Sequence, residues 1–184
     1  FFYQGAIDVL QPYMDSGVIQ IPSGQISKEQ AAIEGWDLGT AQSRMENLLN
    51  AFYSDKHLDI ALCSNDALAR GAMNGLLSHG YTVGAPDFPI VTGQDCEIAS
   101  VQNIIDGKQS MSVFKDTRIL GEQAILAVIA LLDGETPESN GSYNNRIIDV
   151  LSYNCELLTV TQENYQELLI DSGYYTAEQL GISN

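Results

Sequence analysis

Three short apolar runs in this chain end on residues that can bind polar groups. Asn65 and Asp66 follow Asp59-Ile60-Ala61-Leu62-Cys63, Asp95 follows a run through Thr92, and Lys115 and Asp116 follow Met111-Ser112-Val113-Phe114. An amide, a carboxylate and an ammonium at successive strand ends suit a polyhydroxylated ligand. A carboxylate accepts from two adjacent hydroxyls, while an ammonium and an amide donate to hydroxyl and ring oxygens. The single tryptophan, Trp36, adds an apolar plate on which the C–H face of a pyranose can lie. Each residue also has a structural alternative: Asn65 as a helix cap, Asp95 as a turn residue, Lys115 as a solvated strand end, Trp36 as a core plug.

The same residue types give little to an enzyme. No glycine-rich phosphate loop and no G-x-S-x-G elbow is present. His57 and His79 fall in segments flanking helices rather than at strand ends, which leaves a histidine-based triad or metal site without support. Asp95 and Glu97 are two apart on a turn, a spacing that seldom aims two carboxylates at one glycosidic bond. The three cysteines, Cys63, Cys96 and Cys155, match no metal-ligand spacing, and a disulfide between two of them stays open. No catalytic residue, metal or cofactor is expected.

The elements that must position these residues alternate along the chain. Residues 2–15 carry apolar positions at helical spacing, with Phe2, Ala6, Val9, Leu10 and Tyr13 expected inward. Val18–Ile21 reads as a strand, 40–52 as a helix, 59–63 as a buried strand and 67–79 as a helix capped by Ser64-Asn65-Asp66. A strand at 88–92, a Gly93-Gln94-Asp95 turn and a helix at 97–106 follow; a strand at 110–114 and a helix at 117–132 come next. Residues 134–145 read as a polar loop, 150–160 as one extended stretch, and Thr161 as the cap of a last helix of about ten residues. Strand, loop and helix in alternation predict an α/β fold: a doubly wound parallel sheet with helices on both faces and ligands beyond the carboxyl ends of the strands.

With 184 residues the chain is long enough for one core and short for two. Its 24 acidic against 8 basic residues leave a net charge of −16, and no basic run exists. Such a surface repels phosphate backbones, so no nucleic-acid partner is expected, and a neutral or cationic ligand suits it better than an anion. The chain opens Phe-Phe-Tyr-Gln with no leader-like segment, and its start in mid-helix points to missing upstream sequence.

Four stretches resemble the type I periplasmic sugar-binding proteins, especially the xylose-binding and multiple-sugar-binding receptors. Ser64-Asn65-Asp66-Ala67 is similar to that family's strand-end Ser-Asn-Asp, and Thr92-Gly93-Gln94-Asp95 to its Gly-Gln-Asp segment at the hinge. Met111-Ser112-Val113-Phe114-Lys115 resembles its strand ending in a sugar-contacting lysine, and Glu34-Gly35-Trp36 the loop with a stacking tryptophan. The tail from Val160 through Tyr175 resembles the family's C-terminal helix and strand.

The resemblance implies a sugar receptor of an ABC importer, with Asn65, Asp95 and Lys115 hydrogen-bonding a monosaccharide, Trp36 stacking on it and Phe2 nearby. Tyr3 departs from the xylose receptor, which has an arginine there. By the same resemblance residues 1–184 form the C-terminal sugar-binding lobe with hinge crossovers, and the helix at 117–133 packs on a missing N-terminal lobe. The implied partners are the monosaccharide, that lobe and a membrane permease, and the implied location is extracytoplasmic, in the periplasm or on the cell surface as a lipoprotein. Two other readings share parts of the pattern. The effector domain of a LacI-type repressor has the same lobes behind a helix-turn-helix. A phosphoacceptor receiver domain also places Asp and Lys at strand ends, but it needs early acidic residues where this chain offers Asp8 and Asp15, neither after a strand.

Overall fold

A computed structural model describes residues 1–182, which fall into two compact units. The first runs from Phe1 to Ser112 and resumes at Val160; the second is Val113–Thr159.

In the first unit, helix α1 (Phe2–Asp15) is followed by the short helix α2 (Lys28–Ala31), a 3-10 turn at Glu34–Trp36, and α3 (Leu38–Phe52). Strand β1 (Ile60–Ala61) leads into α4 (Asp66–Ser78), β2 (Ile90–Gln94) into α5 (Ile98–Ile105), and β3 begins at Met111. In the second unit β3 ends at Phe114, then come α6 (Thr117–Leu132), β4 (Gly141–Asn144) and β5 (Asp149–Ser152). The chain returns through β6 (Leu158–Val160) to a last wide helical turn, α7 (Gln166–Asp171). The main sheet has the order β1-β2-β3-β6, and β1 and β2 run parallel with Ile60 opposite Ile90 and Ala61 opposite Val91. The expected α/β architecture with a parallel sheet is present.

The core of the first unit gathers Leu49 from α3, Ala69, Met73 and Leu76 from α4, Ala61 from β1 and Val91 from β2. Each large apolar side chain of that set contributes about 1.5–3 kcal/mol by leaving water. The two helices approach closely because α4 presents glycines to α3. A Cβ on Gly71 would meet the Leu38 carbonyl and lie 2.8 Å from the Ala41 Cβ, and one on Gly75 would lie 2.9 Å from the Met45 Cβ.

Several expectations need correction. Val18–Ile21 forms no strand: the chain turns at Gly17 (φ 77°), and the Ile19 N–H donates back to the Tyr13 carbonyl at 3.0 Å, so it is spent on ending α1 rather than on a ladder. The helix at 2–15 forms, but none of its residues is buried, and Phe2, Val9 and Tyr13 are each at least half exposed. Gly93 and Gln94 belong to β2 rather than to the turn after it.

Within the second unit, the polar loop 134–145 is shorter than expected. Residues 141–144 pair antiparallel with β5, closed by a turn in which the Asn145 side-chain oxygen accepts the N–H groups of Ile147 and Ile148 at 2.9 Å each. The stretch 150–160 is accordingly broken into two strands. Helix α6 forms where expected, is capped by the Asp116 carboxylate at 2.9 Å from the Arg118 N–H, and buries none of its residues. At Thr161 the hydroxyl accepts from the Glu163 N–H at 3.3 Å, and the helical turn that follows is shorter than the sequence suggested.

Candidate functional site

Asn65 and Asp95 occupy matching places. Ala61 and Val91 are opposite one another in the parallel ladder, and each candidate stands four residues beyond its strand partner, past the carboxyl ends of neighbouring strands. The two strands stay together beyond the ladder because the Thr92 hydroxyl accepts the Cys63 N–H at 3.0 Å and donates to the Cys63 carbonyl at 3.3 Å.

Asn65 caps α4: its side-chain oxygen accepts the Leu68 N–H at 2.9 Å. Capping commits the amide oxygen to the helix and leaves the amide NH2, a double donor, out of that bond. A capping role and a binding role would therefore use different atoms of the same side chain.

Asp95 sits in an uncommon backbone. Its φ is 99° and that of Cys96 is 51°, both in the left-handed region that side-chain-bearing residues seldom enter. Consecutive residues held there mark a turn whose surroundings over-determine it, a pattern concentrated at ligand clamps and switches.

Trp36 and Phe2 form a pair, with ring centroids 5.5 Å apart and planes at 78°, edge to face. Trp36 is 44% exposed and Phe2 50%, so the pair is a propped aromatic plate open to solvent rather than a core plug. Trp36 is also in the left-handed region (φ 55°), just after Gly35 (φ 63°). The loop that carries it is tied down at several points. The Tyr3 hydroxyl donates to the Ile26 carbonyl at 2.9 Å, Arg44 donates to the Gln25 side chain at 2.8 Å, and Ser27 and Gln30 close a capping box around α2. Asp37, next to Trp36, caps α3 by accepting from the Thr40 hydroxyl and N–H at 2.7 Å each, and these bonds hold its carboxyl below the usual range.

Lys115 directly follows β3 and lies in the second unit. Its neighbour Asp116 is committed locally: Arg118 approaches its carboxylate to 2.6 Å, which lowers the Asp116 pKa. The structure thus brings Phe2 to Trp36 and aligns Asn65 with Asp95.

Asp66, expected beside Asn65 as a strand-end polar residue and cap, lies buried behind that edge instead. The Asp66 carboxylate is fully buried and accepts three hydrogen bonds: from Gln109 Nε2 at 2.9 Å, from the Ser112 hydroxyl at 2.8 Å and from the Glu97 N–H at 2.8 Å. Burial raises its pKa, against the lowering effect of those donors. Glu97 is further held by Arg70 at 2.6 Å, and Arg70 donates to Ser100 at 2.8 Å. Gly93 makes room for the group, since a Cβ there would run into the Asp66 carboxylate and the Gln109 amide. A glycine inside a strand was the available signal, because it marks a close approach as often as a turn.

All three cysteines are free thiols, and burial pushes Cys63 up to about 12. Among the described residues no cluster of His, Cys, Asp and Glu is arranged to hold a metal ion, and no helix is long and apolar enough to cross a membrane.

Comparison with known proteins adds four findings. The sequence profile of the periplasmic binding protein domain matches residues 1–136. The multiple sugar-binding periplasmic receptor ChvE of Rhizobium radiobacter is 44% identical over 182 residues, which cover 98% of this chain and 51% of that receptor. A Clostridium phytofermentans ABC transporter solute-binding protein, solved with bound β-D-glucose, superposes with a TM-score of 0.88 at 49% identity over 97% of this chain and 55% of its own. A Chloroflexus aurantiacus carbohydrate transporter solute-binding protein, in complex with D-glucose, gives 0.81 at 37% identity over 98% of this chain and 56% of its own. The chain spans about half the length of the proteins it matches.

Proposed function

The chain belongs to the periplasmic binding protein domain family, and we propose that it forms the C-terminal lobe of an extracytoplasmic receptor that delivers a monosaccharide to the permease of an ABC importer. The observation that carries the reading is the alignment of Asn65 and Asp95 past the carboxyl ends of β1 and β2, where open α/β sheets bind ligands. In this reading the Asp95 carboxylate accepts from two neighbouring sugar hydroxyls and the Asn65 amide donates to a third oxygen. The Trp36 face receives the C–H face of the ring, with Phe2 edge-on behind it. Lys115 is proposed as a further donor on the resemblance of residues 111–115 alone.

The glucose-bound relatives support a hexose or pentose of the glucose, galactose, xylose or arabinose type, and they favour the receptor over the repressor and receiver readings. No bond is made or broken in the sugar. Binding shifts a two-lobed protein toward its closed form, and the closed form docks on the permease. The half-exposed apolar residues of α6, among them Ile125, Val128 and Ile129, are proposed to be covered by the N-terminal lobe.

A thermal-shift screen of the full-length protein against xylose, arabinose, glucose, galactose and ribose tests the proposal. A ligand that binds only the folded state adds about 2.7 kcal/mol at a hundred times its Kd. A rise in Tm with one or two of these sugars, lost in D95N, is expected. Unchanged melting with all five would overturn the reading.

A further inference from the structure

The turn after β2 is strained, and three side chains from distant parts of the first unit hold it. Asp95 and Cys96 are both left-handed, a conformation that persists for side-chain-bearing residues only where the surroundings impose it. The imposing groups surround Cys96. Its N–H donates to the Ser112 hydroxyl oxygen at 3.1 Å, and the next N–H, of Glu97, donates to Asp66 at 2.8 Å. From the other side the Tyr175 hydroxyl donates to the Cys96 carbonyl at 3.0 Å, across 79 residues of sequence. Ser112 in turn donates to Asp66 at 2.8 Å, so two of the three holders brace each other.

We propose that Tyr175 is a positioning residue: through the Cys96 carbonyl, and together with Ser112 and Asp66, it fixes the turn that presents the Asp95 carboxylate to a sugar. The inference rests on the proposed role of Asp95. Its chemistry is preorganisation. A carboxylate that must accept from two adjacent hydroxyls loses affinity when its backbone can relax out of a strained geometry, because ordering is then charged to binding. Tyr175 suits the task because it is held itself. Its ring packs edge-to-face on Tyr174 at a centroid distance of 4.8 Å. Burial, then the neighbouring Tyr174, Cys96, Asp66 and Glu97, pushes its hydroxyl up to about 12, so it keeps the proton it donates at neutral pH.

The test is a double-mutant cycle on the full-length protein, with D-glucose as the probe and calorimetry as the readout. Y175F removes one hydroxyl and leaves the ring. It should weaken glucose binding about fivefold, the worth of one hydrogen bond. In a D95N background the same substitution should change the residual affinity by less than about twofold, because the group being positioned is gone. S112A, which removes the acceptor of the Cys96 N–H, should show the same coupling and stands in if Y175F does not fold. An equal loss in both backgrounds means Tyr175 acts on stability in general, and the proposal falls. No loss from Y175F while D95N is weakened also overturns it and leaves the role of Asp95 standing. D95N binding like the unaltered protein removes the role of Asp95, and the positioning role with it.

Discussion

Replacing Asp66 by alanine should be among the most destabilising single changes in the first unit. The carboxylate is fully buried and three donors converge on it at 2.8–2.9 Å. The donors do not lose equally. Gln109 Nε2 keeps a second acceptor in the Met111 carbonyl at 3.0 Å, whereas the Glu97 N–H and the Ser112 hydroxyl proton lose the acceptor they have here. Each stranded buried donor costs about 1–3 kcal/mol, and the relief of no longer burying an anion offsets part of that. The expected loss is therefore about 2–4 kcal/mol at pH 7. D66N keeps one acceptor oxygen but faces one donor with its own NH2, and should lose about half as much.

Urea unfolding followed by circular dichroism gives the numbers, and its pH dependence gives the sign. Burial raises the folded-state pKa of Asp66 above its unfolded value of about 3.9. A raised carboxyl contributes stability that is fully present below the unfolded pKa and is lost as pH rises through the folded one. The penalty of D66A should thus be largest at the acid end of that window and shrink as pH rises. A loss below about 0.5 kcal/mol at pH 7, the level of an ordinary surface change, would refute the reasoning. A penalty that grows with pH across the window would refute the assigned direction.

Three further outcomes follow from the packing and the site. G71A should lower the Tm despite the better helix propensity of alanine, because its Cβ meets the Leu38 carbonyl and the Ala41 Cβ across the α3–α4 contact; overpacking of this kind costs about 1–3 kcal/mol, and a rise in Tm would contradict the close approach. Iodoacetamide at pH 8 should label Cys155 faster than Cys63: both are partly exposed, but desolvation pushes the Cys63 thiol up to about 12, and labelling of Cys63 as fast as Cys155 in the native protein would refute that shift. The single tryptophan should report on the site: a bound sugar should change Trp36 fluorescence in the full-length protein, and W36A should weaken binding at least about fivefold, since a stacked aromatic is worth on the order of 1–3 kcal/mol. Sugar binding unaffected by W36A would remove the stacking role.

What could be read from the sequence divides along the range of the forces involved. Helices α3 to α6 were legible because periodicity, caps and stops are local: Asn65 was visible as the cap of α4, while the caps Asp37 and Asp116 of α3 and α6 emerge only in the structure. Strands depend on partners, and there the reading failed in both directions. Val18–Ile21 has a strand's composition, yet its Ile19 N–H closes the end of α1. Gly141–Asn144 has a loop's composition, yet it pairs with Asp149–Ser152 because the Asn145 side chain builds the intervening turn. The exposed stripe of α1 belongs to the same class, since periodicity states that a face is apolar and not what covers it.

The candidate site shows the same division within a few residues. That Asn65 and Asp95 follow strands was visible, and the strand-end rule turned it into a position. Asp66, one residue further on, looked like a second cap, and its task emerges only when residues 31, 43 and 46 positions away meet on one carboxylate. Gly93 was read as a turn glycine, but it lies inside β2 and is small for the sake of Asp66. The positive φ angles fall instead on Asp95 (99°) and Cys96 (51°), in a region where side-chain-bearing residues are uncommon. A backbone placed there against its own preference needs an outside cause. The Asp66–Ser112 pair and Tyr175 hydrogen-bond that turn, which ties its geometry to the packing of the unit behind it.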